Sequence, residues 1–271
     1  MVEDIILQHS KRGMDILRQS MPSDFCRRAA KAVYAWDRGC VFITTGFFVG
    51  GTAETDGPPG LMVTAEVLKQ MGFQLVILTD LYCEGMFDSL PDVQVLYVPI
   101  QAEENYYSHL LAKYQPTGMI SIERCGRNAE GDYANMRGIS IAEKTANIDT
   151  LFMRAKEANI PTVGVGDGGN EIGMGVLRSE IESRLSLKPC VVPVDHLVIA
   201  TVSNWGAYGL AACLCTLDQK VKMPLLSRLK QYLEDIVNLG AVDGVSGQPV
   251  VSVDGFAPEY EYRIYQSVCA L

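Results

Sequence analysis

The sequence lacks an excess of positive charge. It has 23 lysine and arginine residues against 32 aspartate and glutamate residues, and its formal net charge is −9. Proteins that bind nucleic acids use clustered basic residues to neutralise the phosphate backbone, and the sequence contains no such cluster. We therefore expect no nucleic-acid partner. Anionic substrates stay open, because a bound metal ion can reverse the local sign of a carboxylate-lined cleft.

Long apolar runs and paired cysteines are also absent. The longest apolar stretches, such as residues 41–48, are far shorter than a membrane span, and the first residues show no signal-peptide pattern. The eight cysteines form no CxxC pair and no Cys/His spacing of the kind that binds zinc. We predict a cytoplasmic protein with reduced thiols and no membrane partner, and the mitochondrial matrix is the alternative compartment.

Common catalytic motifs are missing too, since the sequence contains no GxSxG, Walker A or HExxH. Two of its three histidines, His109 and His196, fall in predicted elements without a neighbouring nucleophile motif, so packing is the better interpretation of both. Cys125 is the only thiol within a candidate site, and no base is evident beside it in the sequence. Any chemistry must therefore come from carboxylates, amides and arginines.

From residue 41 onward, short apolar segments alternate with longer amphipathic ones. The pattern predicts strands at 41–47, 74–79, 93–98, 118–123, 162–166 and 196–201. It predicts helices near 60–71, 103–114, 148–158, 171–185, 205–216 and 225–239. Residues 1–40 are predicted to be helical and to precede the sheet. The alternation indicates a three-layer α/β sandwich with a mostly parallel, Rossmann-like sheet, and we predict one domain over residues 1–271.

Two acidic, glycine-rich loops follow predicted strands. The first, at 50–60, contains Glu54 and Asp56, and the second, at 166–175, contains Asp167, Asn170 and Glu171. Ligands of open α/β sheets bind beyond the carboxyl ends of the strands, and hard oxygen donors suit Mg²⁺ or Mn²⁺. These five residues are our candidate metal ligands. Helix capping by Asp56 and a simple tight turn at Asp167 are the structural alternatives.

The second loop formally contains the dinucleotide fingerprint GxGxxG, in Gly164, Gly166 and Gly169. An aspartate at position 167 would stand where a pyrophosphate must approach. The next predicted strand also ends in Thr201 rather than in an acid that could bind a ribose. We therefore interpret the segment as a turn that presents metal ligands.

Further candidates follow the fourth and sixth predicted strands. Glu123 ends the fourth strand, and it is a candidate catalytic base at the same sheet edge as the acidic loops. Three arginines and two amides that follow these strands, with one serine, are candidate substrate ligands, because guanidinium groups bind carboxylates bidentately. These residues are Arg124, Arg127, Asn128, Arg137, Ser203 and Asn204. A solvated loop and helix capping are the alternatives.

Several long motifs together resemble the D-glutamate cyclase-like family. They are TTGF at 44–47 with ETDGPPG at 54–60, ER at 123–124 with NMRG at 135–138, GDGGNEIGMG at 166–175, SNWGAYGL at 203–210 and AVDGV at 241–245. The resemblance runs over nearly the whole chain. It implies a lyase that converts D-glutamate to 5-oxo-D-proline and water.

On this resemblance we expect a metal-dependent enzyme that acts on a small anionic substrate. A bound Mg²⁺ or Mn²⁺ would polarise the substrate γ-carboxylate, Asp167 would be both ligand and catalytic residue, and Glu123 would take the proton of the attacking ammonium. A Mg/Mn-dependent phosphatase and a non-catalytic metabolite-binding module are the alternatives. The expected partner is the small molecule alone, and homo-oligomer formation is left open.

Overall fold

The structure is a computed structural model, and it describes residues 1–185 and 187–271. The strands are β1 Cys40–Thr44, β2 Phe48–Val49, β3 Thr52–Ala53, β4 Gln74–Thr79, β5 Val93–Tyr97, β6 Gly118–Ile122, β7 Thr162–Gly166 and β8 His196–Ile199. The helices are α1 Val2–Ile6, α2 Met14–Leu17, α3 Phe25–Ala35, α4 Pro58–Gln70, α5 Glu104–Tyr114, α6 Asp149–Glu157, α7 Arg178–Arg184, α8 Ser203–Leu217, α9 Leu226–Asn238 and α10 Pro258–Cys269.

Six strands form a parallel sheet in the order β5-β4-β1-β6-β7-β8. The interior residues of the four central strands are buried on both faces, as expected for a parallel sheet that is covered by helices on each side, whereas the edge strand β5 is only partly buried. All six predicted strands are present within a few residues of their predicted bounds. The predicted three-layer α/β sandwich with a Rossmann-like sheet is therefore confirmed.

The strand order reverses between β1 and β6. The chain runs outward from β1 to β4 and β5, returns to β6 beside β1, and continues outward through β7 and β8. At such a switch point the loops beyond the carboxyl ends of the two central strands diverge and leave a crevice, where ligands of open α/β sheets bind. The loops after β1, β6, β7 and β8 all open toward this edge.

Helix α8 occupies the centre of one helical layer. Its residues from Ser203 to Leu214 are buried, and it packs against α1, α3, α4 and α10. Helices α5 and α6 pack against each other in the other layer. Among the described residues, no helix is both long and apolar enough to cross a membrane.

Both ends of the chain contribute to this helical layer. The predicted helical region at residues 1–40 is resolved into α1, α2 and α3, and the backbone N–H of Thr201, just after β8, donates to the carbonyl of Ile6. Helix α10, which begins with Pro258 at its first turn, was not predicted from the sequence. One hydrophobic core cluster includes residues from Val2 to Val268. The assignment of the whole chain to one domain stays a prediction.

One predicted helix begins later than the sequence pattern indicates. The prediction started it at residue 171, but helix α7 begins only at Arg178. Residues 171–174 form isolated bridges with Cys125 and Pro193 instead. The Glu171 carboxyl accepts hydrogen bonds from the backbone of the glycine-rich loop behind it, so this stretch continues the loop rather than starting a helix.

Candidate active site

A cavity of about 600 Å³ opens at the carboxyl edge of the sheet, beside the switch point. Its charged and amide-bearing lining residues are Arg12, Glu54, Glu123, Asn135, Arg137, Asn170 and Asp254. They come from the N-terminal segment, from the loops after β1, β6 and β7, and from the segment before α10. The site is therefore assembled by the fold from parts of the chain that are far apart in sequence.

Three buried carboxylates line the cavity, and we call them the cavity carboxylates: Glu54, Glu123 and Asp254. Burial and the surrounding carboxylates raise the pKa of Glu54 and of Glu123 well above the ordinary value of a glutamate. The Oδ2 atom of Asp254 is buried and has no hydrogen-bond partner among the described residues. This wall of the cavity is therefore suited to a cationic group and to proton transfer.

Glu123 is held in an unusual backbone conformation directly after β6. Its φ of 44° lies in the left-handed region, which is uncommon for residues other than glycine and recurs at functional sites. The Ser203 hydroxyl donates to its Oε2 atom at 2.5 Å. Gly57 passes so close that a Cβ there would lie 2.9 Å from the Cβ of Glu123. The loop after β1 and the start of α8 thus fix the position of this carboxyl.

Asp56 caps the start of helix α8, and Asn204 of α8 caps the start of helix α4. The Asp56 carboxyl accepts the backbone N–H groups of Ser203 and Asn204, at 2.9 and 2.8 Å, at the start of α8. In return, the Asn204 Oδ1 atom accepts the N–H groups of Gly57 and Gly60, both at 2.9 Å, at the start of α4. The capping alternative therefore describes what Asp56 does in this structure, and neither side chain lines the cavity.

Glu171 and Asn170 shape the loop after β7. The Glu171 carboxyl accepts the N–H groups of Gly168 and Gly169, each at 2.7 Å, and it lies outside the cavity lining. Asn170 donates to the carbonyl of Ala134 at 2.8 Å and lines the cavity, while its buried Oδ1 atom has no partner among the described residues. Of the two, only Asn170 presents a free oxygen atom to a ligand.

Asp167 is fully buried and is bound by Arg12. The Arg12 Nη1 atom donates to both oxygen atoms of Asp167 at 2.7 Å, and its Nη2 atom donates to Asp254 at 2.7 Å. These two carboxylates outweigh the effect of burial and raise the pKa of Arg12. The guanidinium is therefore a fixed positive charge at the bottom of an otherwise acidic site.

The predicted metal ligands come together with other carboxylates in two groups. Asp56, Asp167 and Asp254 form one group, and Glu123, Asp167 and Glu171 form the other. Within each group, one carboxylate oxygen atom of each residue lies within 4.8 Å of one such atom of the others. Glu54 belongs to neither group and lines the cavity in front of them. Oxygen ligands at this spacing suit a hard divalent cation, so the chemistry of the donors fits the predicted metal.

The structure separates the three candidate arginines. Arg124 is completely buried; it donates to the carbonyls of Gly46 and Ala146 and pairs with Asp80. Arg127 pairs with Asp149 at 2.7 Å. Neither lines the cavity, whereas Arg137 is exposed and does. A carboxylate that enters the cavity can therefore meet Arg137 without breaking an existing ion pair.

The remaining candidate substrate ligands form hydrogen bonds to other residues of the protein in this structure. The Asn128 side chain accepts the backbone N–H groups of Glu130 and Asp132 and closes a turn. Ser203 reaches the cavity only through its hydrogen bond to Glu123. The roles assigned to these residues from the sequence stay predictions.

Three of the charged and amide-bearing lining residues were not among the sequence candidates: Asn135, in the loop after β6, and the more distant Asp254 and Arg12. Asp254 precedes a glycine, and this dipeptide is typical of turns; the same pattern at Asp243 does form a turn, in which the carboxyl accepts the N–H groups of Ser246 and Gly255 at 2.7 Å. Arg12 lies in an irregular segment between two short helices, where no periodicity or motif marks it. Only the path of the chain brings either residue to the site.

The arrangement combines a carboxylate wall with a guanidinium at its rim. Glu54 and Glu123 can exchange protons with a ligand, Asp254 and Asn170 offer free oxygen atoms, and Arg137 offers a cation. Such a cavity suits a small molecule that carries both an ammonium and carboxylate groups. It also suits a divalent cation bound together with an anion.

Comparison with known proteins identifies the family of the chain. The family described as "D-glutamate cyclase-like, C-terminal" matches residues 2–268. The human protein named "D-glutamate cyclase, mitochondrial" is 33% identical over 198 residues, which are 64% of this chain and 32% of the human protein. The matched region thus spans about a third of the length of that relative. Because the family match covers nearly all of the sequence, the chain belongs to the D-glutamate cyclase-like, C-terminal family.

Proposed function

We propose that the chain is a lyase that binds D-glutamate in the cavity at the sheet edge and closes it to 5-oxo-D-proline with loss of water. The observation that carries the proposal is that one cavity of about 600 Å³ is lined both by the three cavity carboxylates, Glu54, Glu123 and Asp254, and by the exposed Arg137. The family membership and the name of the human relative supply the substrate.

Charge complementarity orients the substrate. D-glutamate carries one ammonium and two carboxylates, and its ammonium is attracted to the cavity carboxylates, where solvent is excluded and electrostatic attraction is strong. Arg137 holds the α-carboxylate at the rim in a bidentate pair. This orientation leaves the γ-carboxylate free to fold back toward the nitrogen atom, which is the geometry that ring closure requires.

Glu123 acts as the base of the reaction, and Glu54 acts as the acid. Glu123 takes a proton from the ammonium, and the free amine attacks the γ-carboxyl carbon, so that the N–C bond of the ring forms. Glu54 gives one proton to the γ-carboxyl oxygen that departs, and the nitrogen gives its second proton to the same oxygen, so that the C–O bond breaks and water leaves. Glu123 then returns its proton to Glu54, which restores the starting state of both carboxyls. Both protons that leave the nitrogen end on the released water, so no net proton is consumed. Burial and the neighbouring carboxylates raise the pKa of both carboxyls, which makes each of them easier to protonate during the reaction.

We propose in addition that the site takes a divalent cation, Mg²⁺ or Mn²⁺. The residues that would hold it are the carboxylates around Asp167, with Asn170 in support. Two features support the fit: the donors are all oxygen atoms, and the buried Oδ2 of Asp254 and Oδ1 of Asn170 have no partner among the described residues. When bound, such an ion supplies Lewis-acid polarisation of a substrate carboxyl.

The proposal is tested by incubating the purified, metal-stripped chain with D-glutamate and separating 5-oxoproline by chromatography, with and without Mg²⁺ or Mn²⁺. L-glutamate is the matched control for stereochemistry. Formation of 5-oxoproline from the D-isomer supports the proposal. Release of inorganic phosphate from phosphomonoesters without any lactam would replace it with a metal-dependent phosphatase. Stabilisation of the fold by D-glutamate without any product would indicate a binding module.

A further inference from the structure

The two carboxylate groups of the site share one member. Asp167 belongs both to the group with Asp56 and Asp254 and to the group with Glu123 and Glu171. A carboxylate that is shared between two such groups is the arrangement with which proteins hold two cations a few ångströms apart. The geometry therefore offers two adjacent cation positions, which we call the Asp254 side and the Glu171 side.

On the Asp254 side the structure already contains a cation. The guanidinium of Arg12 donates three hydrogen bonds, two to Asp167 and one to Asp254, all at 2.7 Å. Its side chain is 24% exposed, and both of its carboxylate partners are almost completely buried. The guanidinium thus occupies both oxygen atoms of Asp167 and one oxygen atom of Asp254, which a metal ion on this side would need.

The segment before Arg12 is fixed so that the guanidinium arrives in this position. The Lys11 ammonium lies 3.8 Å from the ring centroid of Phe256, and the His9 ring packs edge-on against Tyr260 at 5.2 Å. Both aromatic residues follow Asp254 closely in sequence. The N-terminal segment and the segment around Asp254 are therefore held together independently of the ion pairs of Arg12.

We propose that Arg12 is a tethered cation that occupies the Asp254 side and limits the site to at most one exchangeable cation. The inference rests on the proposed function only in that the site takes a cation at all. Arg12 acts here as a specificity-determining residue: it reserves the carboxylates of Asp167 and Asp254 and so excludes a two-metal centre. A metal ion on the Asp254 side would have to break a buried, three-bonded ion pair, which is strongly unfavourable.

The test is a calorimetric Mn²⁺ titration of the metal-stripped full chain and its variants, with folding checked by circular dichroism. Arg12→Gln is expected to bind one Mn²⁺ more than the wild type does, with the affinity of the Asp254 side raised on the order of tenfold to a hundredfold. Arg28→Gln is the matched control, because it removes an arginine of the N-terminal region whose exposed partner, Asp24, lies outside the site. It should bind the same number of ions as the wild type.

Two further variants keep the test decisive. Arg12→Lys retains the charge but offers a point charge instead of a planar fork, so the additional ion should bind more weakly than in Arg12→Gln and more tightly than in the wild type. This variant serves alone if Arg12→Gln does not fold. Adding Asp254→Asn to Arg12→Gln should abolish the additional site. Guanidinium ion, at concentrations far below those that unfold proteins, should compete with the additional Mn²⁺ in Arg12→Gln.

The inference is overturned if folded Arg12→Gln or Arg12→Lys binds Mn²⁺ with the wild-type number and affinity. It is also overturned if the wild type itself binds two ions. Failure of the proposed function has a different signature, which is the absence of 5-oxoproline from incubations with D-glutamate. A wild type that binds no Mn²⁺, combined with an Arg12→Gln variant that binds one, would support the inference and remove the metal from the proposed reaction.

Discussion

Two sets of buried carboxylates surround the same sheet edge, and their surroundings differ. Asp56, Glu171 and Asp243 accept hydrogen bonds from backbone N–H groups at helix starts and in turns, and we call them the scaffold carboxylates. The cavity carboxylates Glu54, Glu123 and Asp254 receive no backbone N–H group in the part of the chain that the structure describes.

The different hydrogen-bond partners of the two sets show that burial of an acid does not by itself mark a functional residue. A scaffold carboxylate accepts several N–H groups, whose partial positive charges favour its charged form, and it has a structural reason to be present. At Asp56 these hydrogen bonds oppose burial and the nearby Asp254, which raise the pKa of its carboxyl. A cavity carboxylate lacks these partners, so its burial destabilises the fold unless a ligand or a proton compensates it. Such a residue is the better candidate for chemistry. The following predictions test this distinction, beginning with the largest expected effect.

Replacing Glu123 should abolish catalysis while sparing the fold. Glu123→Gln keeps the shape and an acceptor for the Ser203 hydroxyl, but it cannot take a proton. We expect the rate of 5-oxoproline formation to fall by about 10²- to 10⁴-fold, which is the usual contribution of a general base. Product formation and the melting temperature are measured together. A folded Glu123→Gln variant with near wild-type turnover would remove Glu123 from the mechanism.

A third kind of buried carboxyl, Glu261 of α10, should make stability depend on pH. It accepts hydrogen bonds from Trp205 Nε1 and the Tyr208 hydroxyl, at 2.5 and 2.7 Å, and burial raises its pKa from 4.5 to about 7. Because the folded state binds this proton more tightly, the stabilisation is fully present below about pH 4.5 and is lost as the pH rises through about 7.

The rise of the Glu261 pKa from 4.5 to about 7 corresponds to about 3 kcal/mol of unfolding free energy. This pH-dependent contribution to stability should disappear in Glu261→Gln. Gln can still accept from Trp205 and can donate to the Tyr208 oxygen atom. Urea unfolding of both proteins at several pH values measures the effect. Parallel pH profiles for the wild type and Glu261→Gln would show that Glu261 does not titrate in this range.

The scaffold and cavity carboxylates should respond in opposite directions to neutralisation. In Asp56→Asn an amide donor faces the N–H groups at the start of α8, so we expect a loss of about 2 kcal/mol in unfolding free energy. In Glu54→Gln the side chain becomes permanently neutral, which burial and the neighbouring carboxylates favour, so stability should be unchanged or higher.

The two variants should also differ in activity. Glu54→Gln loses the proposed acid and should be strongly impaired, whereas folded Asp56→Asn should retain most of the turnover per molecule. Chemical denaturation and product formation are compared for both proteins under the same conditions. If Glu54→Gln is destabilised as much as Asp56→Asn, the distinction between the two sets of carboxylates fails.

The smallest effect is expected for replacement of Arg137, at the rim of the cavity. Arg137→Gln should raise the KM for D-glutamate by about tenfold and change kcat little, since the α-carboxylate takes no part in bond formation. Arg127→Gln is the matched control: it removes an arginine of the same loop whose partner, Asp149, lies outside the cavity. It should lower stability and leave KM unchanged. A higher KM in the control alone would transfer the substrate-binding role to Arg127.

The sequence alone determined the α/β architecture, because the buried strands read as short apolar segments and the alternation with amphipathic helices is a local signal. It also located the acidic loops after β1 and β7 and Glu123 after β6, since loops beyond parallel strands share one edge of a sheet. The family resemblance is carried by long contiguous motifs, so it too is visible in the sequence alone, and the family match supports it.

Only the tertiary structure decided which of these polar residues face the cavity. Asp56 and Glu54 are two positions apart in one loop, yet one caps α8 and the other lines the cavity. Asp243 and Asp254 precede glycine alike, and only Asp254 reaches Arg12. The physical reason is that hydrogen-bond partners of buried groups come from distant segments, so their identity depends on the path of the whole chain and leaves no local signal in the sequence.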